Sequence, residues 1–341
     1  MKKAVRLADI AERLQVSTVT VSNALAGQKG VSEELRAQIR QTAKEMGYQP
    51  REAGSGASVP RKIYNVGVII SEKYLGDYPS YYWKIYQELS LKAVDYHCTL
   101  SFEVLRHEAE DEKKLPLFAQ EKQVQGLMVL GELGSEYLRF LYEESGLPLV
   151  FLDFVKREIP VPAVMANNYY GMYKMVNYLL DRGHTRIAYV GTILSSNSIT
   201  DRYYGYCKAL LERGIALNSD WVLDDRTMEG QIGNIRLPDP MPTAFACNCD
   251  VTASEVINTL ERSGYRIPED VSVVGFDNYL YEGLCDVRVT SYEVNLRDMV
   301  KQALKVFLAQ VENSRTVADM QLISGKVVEK DSVRERSAAW K

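Results

Sequence analysis

Ser17, Thr18, Thr20, Ser22 and Asn23 place four hydroxyls and one amide within seven residues, with Val19 among them and no Lys or Glu. At about 100° per residue, Val21, Ala24 and Leu25 fall on one side of a helix, and Thr18, Val19, Ser22, Asn23 and Ala26 on the other. Val and Thr lose rotamer freedom in helices, so a small, uncharged outer side needs its own reason. Nucleic-acid chemistry supplies one. Hydroxyls at Ser17, Thr20 and Ser22 suit phosphate oxygens, Asn23 can make paired bonds to an adenine edge, and Val19 can touch a thymine methyl.

The flanking residues say what holds that surface. Leu7, Ile10, Ala11 and Leu14 recur at i, i+3, i+4 and i+7, predicting an amphipathic helix. "QVS" breaks it, and Ser17 or Thr18 can cap the next helix by accepting an orphaned backbone N–H. "AGQKGV" breaks the pattern again. "SEELRAQIRQTAKEMG" restores it, with Ser32 as cap, Glu33 and Glu34 favourable to the helix dipole, Leu35, Ile39, Ala43 and Met46 inward, and Gly47 as stop. Three short helices in a unit of about fifty residues follow the helix-turn-helix plan, whose second helix lies in the major groove. Charge agrees. Residues 1–62 hold eleven Lys/Arg against six Asp/Glu, a balance of +5 in a chain of net charge −4. A basic head on an acidic body points to a polyanionic partner for the head alone.

At 341 residues the chain exceeds one compact core, so several domains are expected. No apolar run reaches the ~20 residues of a membrane span, and charges interrupt "MKKAVRLADIAERL" where a signal-peptide core would lie. Five scattered cysteines, an odd number, do not form the pattern of a disulfide framework. The expected location is the cytoplasm.

From residue 63 the periodicity changes. "IYNVGVII", "CTLSFEVL", "QGLMVLGE" and "LPLVFLDF" are short β-branched runs separated by amphipathic stretches such as "SYYWKIYQELSLKAVDY". The alternation restarts at "VPAVMAN" and continues through "RIAYVG", a helix from Tyr203 to Arg213, "WVLDD", "TAFACN", a helix at 252–263 and "VSVVGFD". Strands alternating with helices imply doubly wound parallel sheets, here two α/β lobes with a cleft where strand C-ends converge. The expected division is a DNA-binding head at 1–50, a flexible linker at 51–62, and a ligand-binding, dimerising body at 63–341.

The head closely resembles the LacI/GalR family of bacterial transcription regulators, through Asp9, Ile10, Ala11, Val16, Ser17, Thr20, Val21, Ser22, Ala24, Leu25, Gly27, Val31, Ser32, Gly47, Tyr48 and Pro50. By that resemblance Thr18, Val19 and Asn23 read bases, and Tyr48 belongs to the DNA-facing set. Arg6 departs from the usual Thr cap, and Ala26 from the usual Asn. The body phrases "NNYYGMYKMVNYLLDRGHTRIAYVG", "DRYYGYCKALLERGI" and "PTAFACNCDVTASEVINTLERSGYRIPEDVSVVGFDN" resemble the same family, whose body shares the fold of type I periplasmic sugar-binding proteins. The resemblance implies that Arg202 and Asp250 grip an effector, a guanidinium fork donating to adjacent hydroxyls and a carboxylate accepting from them. Asp153, closing "LVFLD", is a further cleft candidate. Tyr81, Tyr82 and Trp83 can stack on sugar rings or belong to the core. Cys249 stands where the family has Asn. Arg226 falls near a customary aromatic and leaves an anionic ligand, such as a sugar phosphate, open.

"CNC" at 247–249 presents its thiols to opposite faces of a strand, and His97, His107 and His184 add no zinc spacing, so no metal or cofactor is expected. No hydrolase, metalloprotease or phosphate-loop motif occurs. A sugar receptor would explain only the body, and a Rossmann-type enzyme only the sheets. A ligand-controlled regulator, not an enzyme, explains both halves. One recognition helix reads few base pairs, so a homodimer on an inverted repeat is expected. The family carries a hinge helix after the head that wedges a Leu into the minor groove. Here "REAGSGASVPRK" favours a linker and offers only Ala57 near that position. The expectation is an operator bent less than those of relatives, or an effector coupled more loosely to DNA: circularly permuted duplexes should differ little in gel mobility, and a strong central kink would contradict this reading.

Overall fold

The computed structural model describes residues 5–25, 31–46, 48, 62–75, 80–227, 232–233, 235–313 and 319–336. The expected linker up to Arg61, including Ala57, and Ala26 lie outside the described residues. The chain divides into two compact units, residues 1–62 and 63–341.

In the first unit, helices α1 (Leu7–Leu14), α2 (Thr18–Leu25) and α3 (Glu33–Glu45) enclose Ile10, Ala11, Val21, Ala24, Ile39 and Ala43. The helix-period apolar residues face inward because that stripe is the only surface they can remove from water. Gln15 adopts a left-handed conformation (φ +52°), turning the chain so that Val16 N donates to Ala11 O at 3.0 Å. Asp9 accepts from Arg6 N at 2.6 Å, so the first turn is capped without the Thr that Arg6 replaces. Ser32 Oγ accepts from Leu35 N at 3.3 Å, as its spacing predicts.

The second unit runs β1 (Tyr64–Ser71), α4 (Tyr81–Ala93), β2 (Cys98–Leu105), α5 (His107–Asp111), α6 (Leu117–Gln120), β3 (Gly126–Leu130), α7 (Ser135–Glu144), β4 (Leu149–Leu152), β5 (Ala163–Ala166), α8 (Asn168–Asp181), β6 (Ile187–Val190), α9 (Asn197–Glu212), β7 (Val222–Leu223), β8 (Ala244–Cys247), α10 (Asp250–Arg262), β9 (Ser272–Phe276), β10 (Thr290–Val294), α11 (Leu296–Val311), β11 (Met320–Ile323) and β12 (Gly325–Val328). Two six-stranded sheets result, ordered β11-β5-β4-β3-β1-β2 and β12-β10-β9-β8-β6-β7. Every pairing is parallel except β10 with β12. Helices cover both faces, which is why strands such as β3 and β8 are buried at every position.

The sequence pattern misplaces one crossing. "VPAVMAN" does not begin the second lobe, because β5 is a strand of the first sheet, paired with β4 and β11. The second sheet starts at β6. An apolar parallel strand has no mark telling which sheet it joins. α9 also begins six residues before the expected Tyr203, its first turn capped by Ser196. The chain passes between the sheets after β5, after β10 and at Ser324, and Asn167 and Asn295 cap the helices that follow the first two passages.

Gly205 fixes how α9 meets α8. A Cβ there would lie 2.1 Å from Tyr169 O and 2.9 Å from Tyr173 N, both backbone atoms that cannot swing aside. Gly205→Ala should therefore force the helices apart and cost about 3 kcal/mol, read as a lower midpoint in urea unfolding of the whole chain. An unchanged midpoint would show that the helix pair accommodates the methyl group.

Candidate functional site

On the head, α2 presents the small polar side chains outward. Val19 is 65% exposed, an unusual cost for a bare β-branched residue, while Thr18 and Ser22 are exposed and Asn23 half-buried. Ser17 Oγ accepts from Thr20 N at 3.0 Å and lies 2.8 Å from Thr20 Oγ1. When Thr20 donates across that contact, the Ser17 proton is left for an outside acceptor at the N-terminus of α2, where anions are favoured. Arg36 on α3 is buried, and its Nη1 donates to Ala24 O at 3.2 Å, tying the last turn of α2 to α3. Sequence reading missed this residue, because a lone Arg in a basic helix reads as surface charge. Tyr48 packs against the core of the head, with its N donating to Ala43 O at 2.8 Å.

In the second unit the candidate residues gather at strand C-ends of both sheets. Arg202, 6% exposed, is their centre. Its Nε donates to Asn168 Oδ1 at 2.8 Å, its Nη1 to Asn248 O at 2.6 Å and its Nη2 to Asp277 Oδ1 at 3.2 Å. Its guanidinium carbon stands 3.8 Å from the centre of the Phe276 ring. Burial opposes its charge, but Asp277 and Asp153 outweigh that and raise its pKa. Asp153 follows β4 and Asp277 follows β9, both with left-handed backbones (φ +71° and +94°) that are unusual outside glycine.

Asp153 is 5% exposed, and burial pushes its carboxyl up to about 7 against the lowering effect of Arg202. Tyr82 bonds to it, while Tyr82 itself lies 4.4 Å, centre to centre, from Tyr74. Burial likewise holds the Tyr81 hydroxyl well above its usual range, with the charges of Asp277, Asp153 and Arg202 all acting on it. Trp83 is not part of this group. It stacks on Tyr86 at 5.3 Å and meets Phe102 edge-on at 6.0 Å.

Three side-chain atoms in this cluster are buried without a hydrogen-bond partner: Tyr81 Oη, Asp153 Oδ1 and Asn168 Nδ2. Leaving a buried polar group unmatched costs about 1–3 kcal/mol, and three such atoms lie in this one cluster. They comprise a donor-acceptor, an acceptor and a donor.

Two expected residues are spent on the protein itself. Asp250 Oδ1 accepts from Ser291 Oγ at 2.6 Å and Oδ2 from Tyr279 N at 2.8 Å. Burial raises its carboxyl to about 7. Arg226 is paired with the fully buried carboxylate of Asp225 at 2.7 Å and also reaches Asn248 Oδ1, Cys249 Sγ and Thr252 Oγ1. Burial alone would raise Asp225, but bonds and charge from Arg226 hold it down to about 2. A guanidinium so matched has no surplus charge for an anion. Asn168, Asn248 and Asp277 were not singled out from sequence, although Asp277 closes the "GFD" phrase at a strand end, a position where cleft residues collect. Among the described residues no group of His, Cys, Asp and Glu could hold a metal ion, and no helix is long and apolar enough to cross a membrane.

Each unit resembles known proteins. Residues 6–51 match the bacterial regulatory proteins of the lacI family, and residues 176–333 match the periplasmic binding protein-like domain. The transcriptional repressor CytR of Escherichia coli (strain K12) is 26% identical over 337 residues, covering 97% of both chains. The transcriptional repressor PurR of Pasteurella multocida (strain Pm70) is 28% identical over 280 residues, 79% of this chain and 81% of that one. Among solved structures, the CelR–cellobiose complex superposes with a TM-score of 0.67 at 19% identity, covering 96% of this chain and 99% of that one. The lac repressor dimer bound to operator and the anti-inducer ONPF gives 0.63 at 21% identity, covering 97% and 100%. With a matching head, a matching body and repressors aligned along nearly its whole length, the chain belongs to the lacI family of bacterial regulatory proteins and is a DNA-binding transcriptional regulator, not an enzyme.

Proposed function

We propose that this regulator is a repressor of carbohydrate-utilisation genes, controlled by a small, uncharged, sugar-like effector bound between the two lobes. The carrying observation is the set of unmatched buried atoms around Arg202: Tyr81 Oη, Asp153 Oδ1 and Asn168 Nδ2. A polyol offers a donor and an acceptor on each hydroxyl, so adjacent hydroxyls complement all three, and tyrosine faces suit the apolar side of a ring. The sugar phosphate reading loses its support, since Arg226 is neutralised by Asp225. The cellobiose bound by CelR favours a saccharide here as well.

Base reading is assigned to Thr18, Val19 and Asn23, with Ser17, Thr20 and Ser22 on phosphates and Tyr48 supporting the head from its core side. A homodimer would pair two heads on an inverted repeat. Its surface is proposed on α4, the turn that follows it and the edge strand β2, where Trp83, Leu91, Val94 and Val104 leave apolar area in water.

The test combines operator binding with calorimetry. Neutral mono- and disaccharides, cellobiose among them, and their phosphates are titrated into full-length protein, and anisotropy follows an inverted-repeat duplex. At least one neutral sugar should bind and change operator affinity. Arg202→Ala should lose that sugar by at least tenfold while still binding the duplex. Binding of phosphates alone, or unchanged sugar affinity in the variant, would refute the reading.

Asp153 adds a pH signature. Its carboxyl is near 7 in the folded chain and about 3.9 when unfolded, so the folded state holds the proton more tightly. The stability this contributes is complete below about pH 4, declines as pH rises, and is gone above about pH 7. Asp153→Asn should therefore flatten the fall in melting temperature between pH 5 and 8, ending more stable than wild type at pH 8. A wild-type slope retained in the variant would assign the proton elsewhere.

A further inference from the structure

The outward face of α2 is chemically one-sided. No charged residue occurs anywhere between Thr18 and Leu25. Thr18, Val19 and Ser22 are exposed and Asn23 is half-buried, while Val21 and Ala24 face the core. The helix therefore lacks the guanidinium and ammonium groups that most often read guanine through O6 and N7. Arg36 of α3 does not supply one, since it is buried and donates from Nη1 to Ala24 O at 3.2 Å. What α2 offers instead is one bare apolar side chain, Val19, standing mostly in water, with an amide one turn later at Asn23. At i and i+4 the two share a face and lie about 6 Å apart along the axis, close enough for neighbouring base pairs stacked at about 3.4 Å.

What Val19 can distinguish follows from its atoms. In the major groove thymine shows an O4 acceptor and a C5 methyl group, and cytosine shows an N4 donor. An isopropyl group neither donates nor accepts, so it has no means of telling O4 from an N4 amino group. Its gain comes from removing apolar area from water, and the C5 methyl group supplies that area where a bare C5–H does not. Val19 thus separates methylated pyrimidines from unmethylated ones, whichever base carries the methyl. Thr18 does not restore the missing distinction, because a hydroxyl can donate or accept.

We propose that this regulator reads a pyrimidine C5 methyl group in each operator half-site through Val19, and accepts 5-methylcytosine there in place of thymine. The proposal rests on the assignment of Val19 to base reading. It adds a modified base to what the head recognises: methylation of a cytosine creates a binding site that the unmodified sequence does not offer.

Full-length protein would first select duplexes from a randomised pool, and anisotropy would then follow the selected inverted repeat with single groups changed. Deoxyuridine replaces each thymine in turn, in both half-sites together. At the sensitive position a 5-methylcytosine·guanine pair is compared with cytosine·guanine. Losing one methyl contact should weaken binding about fourfold per half-site, and so about tenfold or more for the two together. 5-Methylcytosine should bind several-fold tighter than cytosine. Val19→Ser should remove both differences, and circular dichroism checks that this exposed substitution leaves the chain folded. Failure is distinguishable at two levels. If the pool yields no enriched sequence, or Val19→Ser keeps the wild-type order of affinities for every base-pair variant, Val19 does not read bases and the proposal falls with that assignment. If Val19→Ser changes the preferred base pair while deoxyuridine costs nothing in the wild type, or 5-methylcytosine binds no better than cytosine, Val19 reads bases and methyl recognition alone is overturned. A deoxyuridine penalty that persists in Val19→Ser gives the methyl group to another residue and overturns it equally.

Discussion

A buried arginine is the constraint around which the second unit is arranged. Removing a guanidinium from water costs several kcal/mol even after relaxation, and only close, well-aimed acceptors offset it. Arg202 receives them from three directions: a side-chain amide on α8, a main-chain carbonyl after β8 and a carboxylate after β9. Each of those elements must end where it does for the set to close. Gly205, one turn further along α9, lets the helix lie against α8 backbone, and Gly275 leaves room for Asp250, whose carboxylate a Cβ there would meet at 2.1 Å. The glycines of "RYYG" and "VGFD" are therefore part of the same arrangement as the charged residues beside them.

A second arginine does related work from behind. Arg226 and Asp225 neutralise one another and share Asn248, whose Nδ2 donates to Asp225 Oδ2 at 2.7 Å and whose main-chain carbonyl faces Arg202. The two guanidinium groups thus differ in role because they differ in pairing. Arg226 meets a carboxylate through several bonds and is complete. Arg202 is anchored but surrounded by polar atoms that are not, and Asp153 in particular has one oxygen with no partner. A cluster finished on one side and unfinished on the other is the arrangement that a polar ligand would complete.

How far the sequence shows this depends on the kind of signal. The head was legible almost to the residue, because period and cap residues act locally: Ile10, Val21 and Ile39 are inward, and Ser32 caps α3. The alternation of strands and helices was equally plain, but β5 was assigned to the wrong sheet and β10 through β12 were not read. Short apolar strands carry no record of their neighbours, and β11 and β12 are half-exposed edges joined by the single residue Ser324. In the cluster, Arg202, Asp153, Tyr81 and Tyr82 were named from sequence and do converge. Asp277 and Asn168 were not, since pairing across 75 and 34 positions is visible only in three dimensions. Arg226 looked ligand-facing because its charge was visible and its neighbour's claim on it was not.

The unfinished side of the cluster also bears on switching. Asp153 and Tyr81 come from the lobe of the first sheet, whereas Asn168 and Arg202 come from helices packed on the second. A ligand bonding to both sets gains its full free energy only when the lobes are set as they are here, and that dependence is the differential affinity a shift of populations requires. Moving an equilibrium from 1:99 to 99:1 needs about 5.5 kcal/mol of such difference. Only the bonds to the lobe that moves away count towards that difference: at about 1–3 kcal/mol each once matched, the two atoms on the first-sheet lobe, Tyr81 Oη and Asp153 Oδ1, would supply about 2–6 kcal/mol. A tightly bound ligand that touched only one lobe would supply none of it, so the division of the unmatched atoms between the lobes matters more for control than their number.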